Sequence, residues 1–303
     1  MKRAFLFPGQ GAQYVGMAKD LYDNSAEAKK MIDAADETLG VKLSDILFNG
    51  DEEKLKQTEN TQPAIFLHSV VLASLIKNLT ADASAGHSLG EYSALVAAGA
   101  LHFTDALKLV RARGKAMQKA GTDNPGTMAA IIGLSQQKVE EACNEASAEG
   151  IVQGANFNSP GQVVISGSIP GVKKAMELCK AKGAKLAKEL VVSGAFHSPL
   201  MEPAKAALKL ELDAAPVIDA KFPVYANVTA LPVVDKEEIK DLLYRQVTSP
   251  VRWEETITNM IKDGIEEFVE IGPGKVLQGL VKRINPDVKS FGIDKYTDLE
   301  KYL

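Results

Sequence analysis

Ala85-Gly86-His87-Ser88-Leu89-Gly90-Glu91 is a Gly-x-Ser-x-Gly stretch, set where an apolar, small-residue run gives way to a helical pattern. Glycines on both sides of the serine let the backbone turn sharply and bring neighbouring elements close. A serine at the apex of such a turn points its hydroxyl out of the fold. Main-chain N–H groups at the following helix start can then receive the charge that builds on a carbonyl oxygen under attack. The pattern has a plainer reading too, an ordinary serine on a tightly packed turn.

Upstream, Ala4–Phe7 reads as a buried strand that stops at Pro8. The loop Gly9-Gln10-Gly11-Ala12-Gln13 follows, then a helical pattern to about Ala35. This strand, loop, helix order is an α/β opening. The loop has neither the Gly-Lys-Ser/Thr of a P-loop nor the third glycine of a dinucleotide fingerprint, so no nucleotide site is expected. A helix is expected from Pro63 to Leu79, capped by Asn60 or Thr61, and another from Thr104 to Lys119, capped by Thr104. Residues 126–195 have a different rhythm. Strands at 127–134, 152–158, 162–168 and 184–192, with helices at 135–148 and 170–182, give the order βαββαβ of a ferredoxin-like unit. After it the α/β pattern resumes, with a helix from Pro199, a strand at 222–227, helices at 236–247 and 253–262, a strand at 267–271 and a helix at 276–284. The expected fold is α/β. A catalytic core with a parallel sheet spans residues 1–125 and 196–303, and the ferredoxin-like subdomain is inserted between the two halves.

Composition fits that reading. The 303 residues are 46% hydrophobic and 24% charged, which suits a globular chain able to bury a large core. The formal net charge of -4 argues against nucleic-acid binding through bulk charge. Two cysteines, Cys143 and Cys179, make neither a zinc site nor a secreted disulfide framework. No metal is expected. No apolar run is long enough for a signal peptide or a membrane span, so a cytoplasmic protein is expected.

A serine nucleophile needs a base, and the chain has four histidines. His68 lies in an apolar helical run, and nothing polar clusters with His102. His87 adjoins the serine on a sharp turn, so its side chain should point away and brace the turn. His197 ends a strand-like run and stands just before the helix start Ser198-Pro199. A residue at such a junction projects from the rim where α/β sites form, and elimination favours it. On a helical wheel through Thr104–Lys119, Arg111 falls with Lys108 and Lys115 and reads as a solvated charge. Arg113 falls between Ala106 and Leu109, inside the apolar arc. A buried guanidinium needs an anionic partner, either an internal Asp or Glu or a carboxylate on a substrate.

The segments Phe7–Gln13, Thr61–Ala64, Gly86–Glu91, Arg111–Gly114, Ala155–Gln162, Gly194–Pro199, Asn227–Thr229, Gln246–Trp253 and Glu270–Gly274, taken together and in this order, resemble the malonyl-CoA:acyl carrier protein transacylase family, the acyltransferases of fatty acid synthesis. The resemblance covers essentially the whole chain. It implies an α/β-hydrolase-like core with a ferredoxin-like insert. It implies that Ser88 carries the malonyl group as an ester from malonyl-CoA to the phosphopantetheine thiol of acyl carrier protein, with no bound cofactor. His197 would be base and acid, Arg113 would hold the malonyl carboxylate, and the N–H groups of Gln10 and Leu89 would form the oxyanion hole. The main-chain carbonyl of Gln246 would orient the histidine in place of an acidic residue. Phe196 would crowd a branching methyl group. Gln62 and Asn156 lie in matching segments with roles that could be structural. Gly194 stands where many such enzymes carry another residue. A transient complex with acyl carrier protein and a monomeric enzyme are expected. Because carriers are acidic, Lys182, Lys185, Lys188, Lys275 and Lys282 are candidates for the docking surface. Two other classes stay open on the residues alone: a serine hydrolase or thioesterase that uses water as acceptor, and a noncatalytic carrier-docking protein.

Overall fold

The computed structural model describes residues 1–303. Its ten strands are β1 (Lys2–Phe7), β2 (Ala83–Gly86), β3 (Gly126–Ile132), β4 (Val152–Ser159), β5 (Gln162–Ser168), β6 (Leu186–Glu189), β7 (Val224–Tyr225), β8 (Pro232–Val233), β9 (Ile265–Ile271) and β10 (Lys289–Ile293). The larger sheet has the order β10-β9-β1-β2-β7-β8, parallel except for the edge pairing of β7 with β8.

β1 shows why this sheet is parallel and buried. Phe5 and Phe7 join the large core beneath the helix Thr58–Leu75. Ala4 and Leu6 join Trp253, Ile257, Leu277 and Val281 from the helices on the opposite face. Alternate side chains thus meet helices on both sides, which makes a near-continuous apolar strand. β1 pairs with β2 on one side and β9 on the other, so the loops at their carboxyl ends open a crevice where the strand order switches. The loop after β1 carries Gln10, the turn after β2 carries Ser88, and the turn after β7 carries Asn227.

The second sheet, β4-β5-β3-β6, is antiparallel and lies under the helices Gln136–Ala146 and Ile169–Ala181. Its own core packs Ala129, Ile131, Val163 and Ile165 against Val139, Cys143, Val172 and Cys179. The order of elements is the βαββαβ read from the sequence. β4 is tied to the core against the larger sheet at Val251, which packs with Ala4 and Leu6; its N–H donates to Ala155 O (2.8 Å) and its carbonyl accepts from Phe157 N (2.9 Å). No helix is long and apolar enough to cross a membrane.

Several boundaries differ from expectation. The helix expected from Pro63 to Leu79 runs from Thr58 to Leu75, so Pro63 sits inside it. Proline has no N–H, which deprives the Glu59 carbonyl of its helical donor. Arg111 Nη1 donates to that carbonyl instead. Arg111 is therefore not the solvated charge its wheel position suggested. It is half-buried, donates to Asn60 Oδ1 (2.7 Å) and pairs with Glu59 (3.3 Å). The helix carrying Arg113 spans Phe103–Asp123 with His102 at its cap position, so Thr104 lies in the first turn. The strand expected at 222–227 shortens to two residues, because Asn227 N donates to a buried carboxylate rather than to a neighbouring strand.

Candidate active site

The turn after β2 is built by close packing. A Cβ on Gly90 would overlap the carbonyl of Phe7, so only glycine lets the helix Gly90–Ala97 start against β1. Ser88 itself adopts φ 52°, a left-handed conformation that costs a non-glycine residue about 1–3 kcal/mol. Asn227 offsets that cost. Its Oδ1 accepts from Ser88 N (2.7 Å), its Nδ2 donates to Gly86 O (2.7 Å), and its own N–H donates to Glu91 Oε2 (2.9 Å). His87 faces away, as expected, with Nε2 2.9 Å from Asn158 Oδ1 and its ring against Trp253.

His197 reaches the turn from the far side. It too has a left-handed backbone, with φ 56°. Gln153 on β4 holds it there by donating to His197 O (2.8 Å). The ring lies 2.8 Å from Ser88 Oγ through Nε2. Nδ1 is 3.0 Å from Gln246 O and 3.1 Å from Ser249 O. Both are carbonyls, so Nδ1 must carry the proton and donate. In the neutral ring Nε2 is then free to accept from Ser88 Oγ–H. Burial, and next the nearby charge of Arg113, push the His197 pKa down to about 3, which keeps the ring neutral.

Arg113 is 1% exposed, as the wheel indicated. Nη1 donates to Gln62 Oε1 (2.7 Å), and Nη2 donates to Gln246 Oε1 (2.9 Å) and Ser88 Oγ (3.0 Å). The Tyr92 ring lies 5.7 Å from the guanidinium carbon. Arg113 forms no ion pair with any protein carboxylate, and its Nε–H has no acceptor. A buried cation is thus held by two neutral amides beside the candidate nucleophile. Of the two partners open on the sequence, the internal carboxylate at ion-pair distance is not there.

Gln246 ties the parts together. Its carbonyl faces His197, its Oε1 faces Arg113, and its Nε2 donates to Ser88 O (3.0 Å) and Glu91 Oε2 (2.8 Å). The N–H groups of Leu89 and Gln10 donate to no protein acceptor. Phe196 is buried immediately before His197. Gly194 has a packing reason: its Cα approaches Gly121 so closely that a Cβ would sit 2.9 Å from the Gly121 Cα. Asn156 is buried on β4 beside the bridge to Val251, and its side chain bonds to none of these residues.

Residues 4–291 match the acyl transferase domain model. The chain belongs to the acyl transferase family. Among its relatives, the malonyl CoA-acyl carrier protein transacylase of Bacillus subtilis (strain 168) is 49% identical over 302 residues, covering 99% of this chain and 95% of that protein. The enzyme of the same name from Staphylococcus aureus (strain MRSA252) is 45% identical, covering 99% and 97%. Among solved acyl transferase structures, an acyl carrier protein S-malonyltransferase from Vibrio cholerae superposes with a TM-score of 0.94 at 42% identity, covering 99% of each chain. A malonyl-transacylase solved in complex with a type II polyketide acyl-carrier protein superposes at 0.96 with 40% identity, covering 100% of this chain and 99% of that one.

Sequence reasoning assigned no role to Asn227, Gln153 or Glu91. Asn227 and Glu91 lie within matching segments, but their work is done on backbone atoms brought together only by the fold. Gln153 carries no signal beyond its place in a strand.

Proposed function

We propose that this acyl transferase moves a malonyl group from malonyl-CoA to the phosphopantetheine thiol of an acyl carrier protein in fatty acid synthesis, through an ester on Ser88. The observation that carries the reading is Arg113, a buried cation without a protein carboxylate, one hydrogen bond from Ser88 Oγ. An anion recognised there must lie very near the carbonyl under attack. Malonyl, with one methylene between its carboxylate and its thioester, has that reach.

His197 Nε2 takes the Ser88 proton as Oγ attacks the thioester carbonyl. The resulting oxyanion receives the N–H groups of Leu89 and Gln10. The intermediate collapses, and the coenzyme A thiolate leaves with the proton from His197. In the second half the pantetheine thiol gives its proton to His197 and attacks the ester carbonyl, and Ser88 departs by recovering that proton. Gln246 O and Ser249 O hold Nδ1–H throughout, so no carboxylate has to stand behind the base. A buried Asp there would repel the substrate's own charge. Gln62 and Gln246 keep the guanidinium aimed at the nucleophile, and Phe196 limits bulk beside it. The chemistry needs no cofactor.

The acidic carrier would dock on the exposed lysines Lys185, Lys188, Lys275 and Lys282; Lys182 contributes less, since Glu145 pairs with it at 2.7 Å. The test is to supply malonyl-CoA with and without holo-carrier. Transfer to the carrier should exceed release of free malonate; hydrolysis dominating with carrier present would make the chain a thioesterase.

A further inference from the structure

Glu91 is a second buried charge in this site, and the transfer steps do not use it. It is 2% exposed, and its Oε2 accepts from Asn227 N (2.9 Å) and Gln246 Nε2 (2.8 Å). The same Gln246 amide accepts from Arg113 through Oε1 (2.9 Å). Glu91 and Arg113 are therefore linked through a single side-chain amide, yet they make no direct ion pair. Before substrate arrives, the buried site holds one cation and one potential anion. An acyl chain that brings its own carboxylate to Arg113 adds a second anion beside the same cation. Two carboxylates sharing one buried cation do not both stay ionised.

We propose that Glu91 is the charge-balancing residue for anionic acyl chains: it takes up a proton when an acyl carboxylate pairs with Arg113, and its ionisation disfavours such chains as pH rises. The inference rests on the proposed malonyl transfer. The position of Glu91 supports it, because burial already raises its pKa to about 7, against the opposing pull of Asn227 N, Gln246 and Arg113. The other titratable groups around it stay out of this range. Burial pushes Tyr92 up to about 12 and holds His87 and His197 below their usual values. Burial lowers Arg113 as well, but a guanidinium is basic enough to stay protonated.

Below pH 7, Glu91 is already neutral, and a malonyl chain enters without proton uptake. Above pH 7 the free enzyme is ionised and must bind a proton to accept malonyl. Acetyl carries no carboxylate and makes no such demand.

The experiment loads the wild-type enzyme to completion with malonyl-CoA or acetyl-CoA at pH 7.5 in weak buffer containing an indicator, with ester formation verified by intact mass. Proton exchange by the released thiol is common to both substrates and cancels in the difference. Malonyl loading should take up a fraction of a proton more than acetyl loading. The malonyl-to-acetyl ratio of loading rates should fall about fivefold between pH 6 and pH 8, as expected for a carboxyl whose pKa a like charge lifts by about a unit. Glu91→Gln keeps an acceptor for Asn227 N and Gln246 while staying neutral, so it should abolish the differential uptake and flatten the ratio. Ester formation with no differential uptake in wild type would overturn the role of Glu91. Differential uptake that persisted in Glu91→Gln would overturn it as well. Failure to form a malonyl ester at all would instead sink the proposed function.

Discussion

Replacing Arg113 with alanine should separate malonyl from acetyl. In the wild-type site, Nη2 lies 3.0 Å from Ser88 Oγ, and the guanidinium has N–H groups left over for a ligand. Two charge-assisted hydrogen bonds to the acyl carboxylate, each about 1.5–3 kcal/mol, would be lost, together about 3–6 kcal/mol or roughly two to four powers of ten in malonyl loading. Acetyl makes no such bonds. It should suffer only from the lost bond to Oγ and from the loosening of Gln62 and Gln246, at about 1.5 kcal/mol or roughly tenfold. The malonyl-over-acetyl preference should therefore drop by at least about tenfold. Arg113→Met retains most of the buried volume without the charge and should show the same selectivity loss, which separates charge from cavity. The assay is single-turnover ester formation by quenched flow with each thioester. Equal losses for malonyl and acetyl would refute the carboxylate role of Arg113.

His197→Ala should slow both acylation by malonyl-CoA and deacylation by holo-carrier, measured as separate half-reactions; normal acylation would place the base elsewhere. Gly90→Ala should destabilise the whole fold rather than tune activity, since its Cβ would overlap the Phe7 carbonyl, and thermal unfolding reads this directly. Stability should fall as pH drops from about 6.5 to 5. His197, His87 and His68 are all buried with lowered pKa values, so over that window the unfolded chain binds more protons than the native one. Glu91, raised to about 7, and Glu270 and Glu254, also raised by burial, have the opposite sign and offset part of the loss. Urea midpoints across this range should show a net decrease on acidification, and a flat or rising profile would contradict the neutral buried histidines.

The fold was legible because its elements carry local signatures. β1 is an apolar run ended by Pro8, and the βαββαβ order follows from alternating periods and turn residues. Arg113 was legible because helical geometry alone puts it on the buried face. Arg111 was misread because the wheel shows direction but not neighbours, and the carbonyl freed by Pro63 drew it inward. Roles that depend on backbone atoms were not legible. Nothing in the sequence says that Asn227 would bind both Gly86 O and Ser88 N, or that Gln153 would fix the backbone of His197. Gln246 was legible as a carbonyl through the family resemblance, while its side chain, which joins Arg113 to Glu91, needed the fold.

The most direct test of the central claim is peptide-mapped mass spectrometry after brief exposure to malonyl-CoA without carrier. One malonyl group should appear on the peptide containing Ser88, disappear on addition of holo-carrier, and be absent in Ser88→Ala. A stable enzyme that never acquires the ester, or acquires it on another residue in Ser88→Ala with transfer intact, would contradict Ser88 as the carrier of the malonyl group.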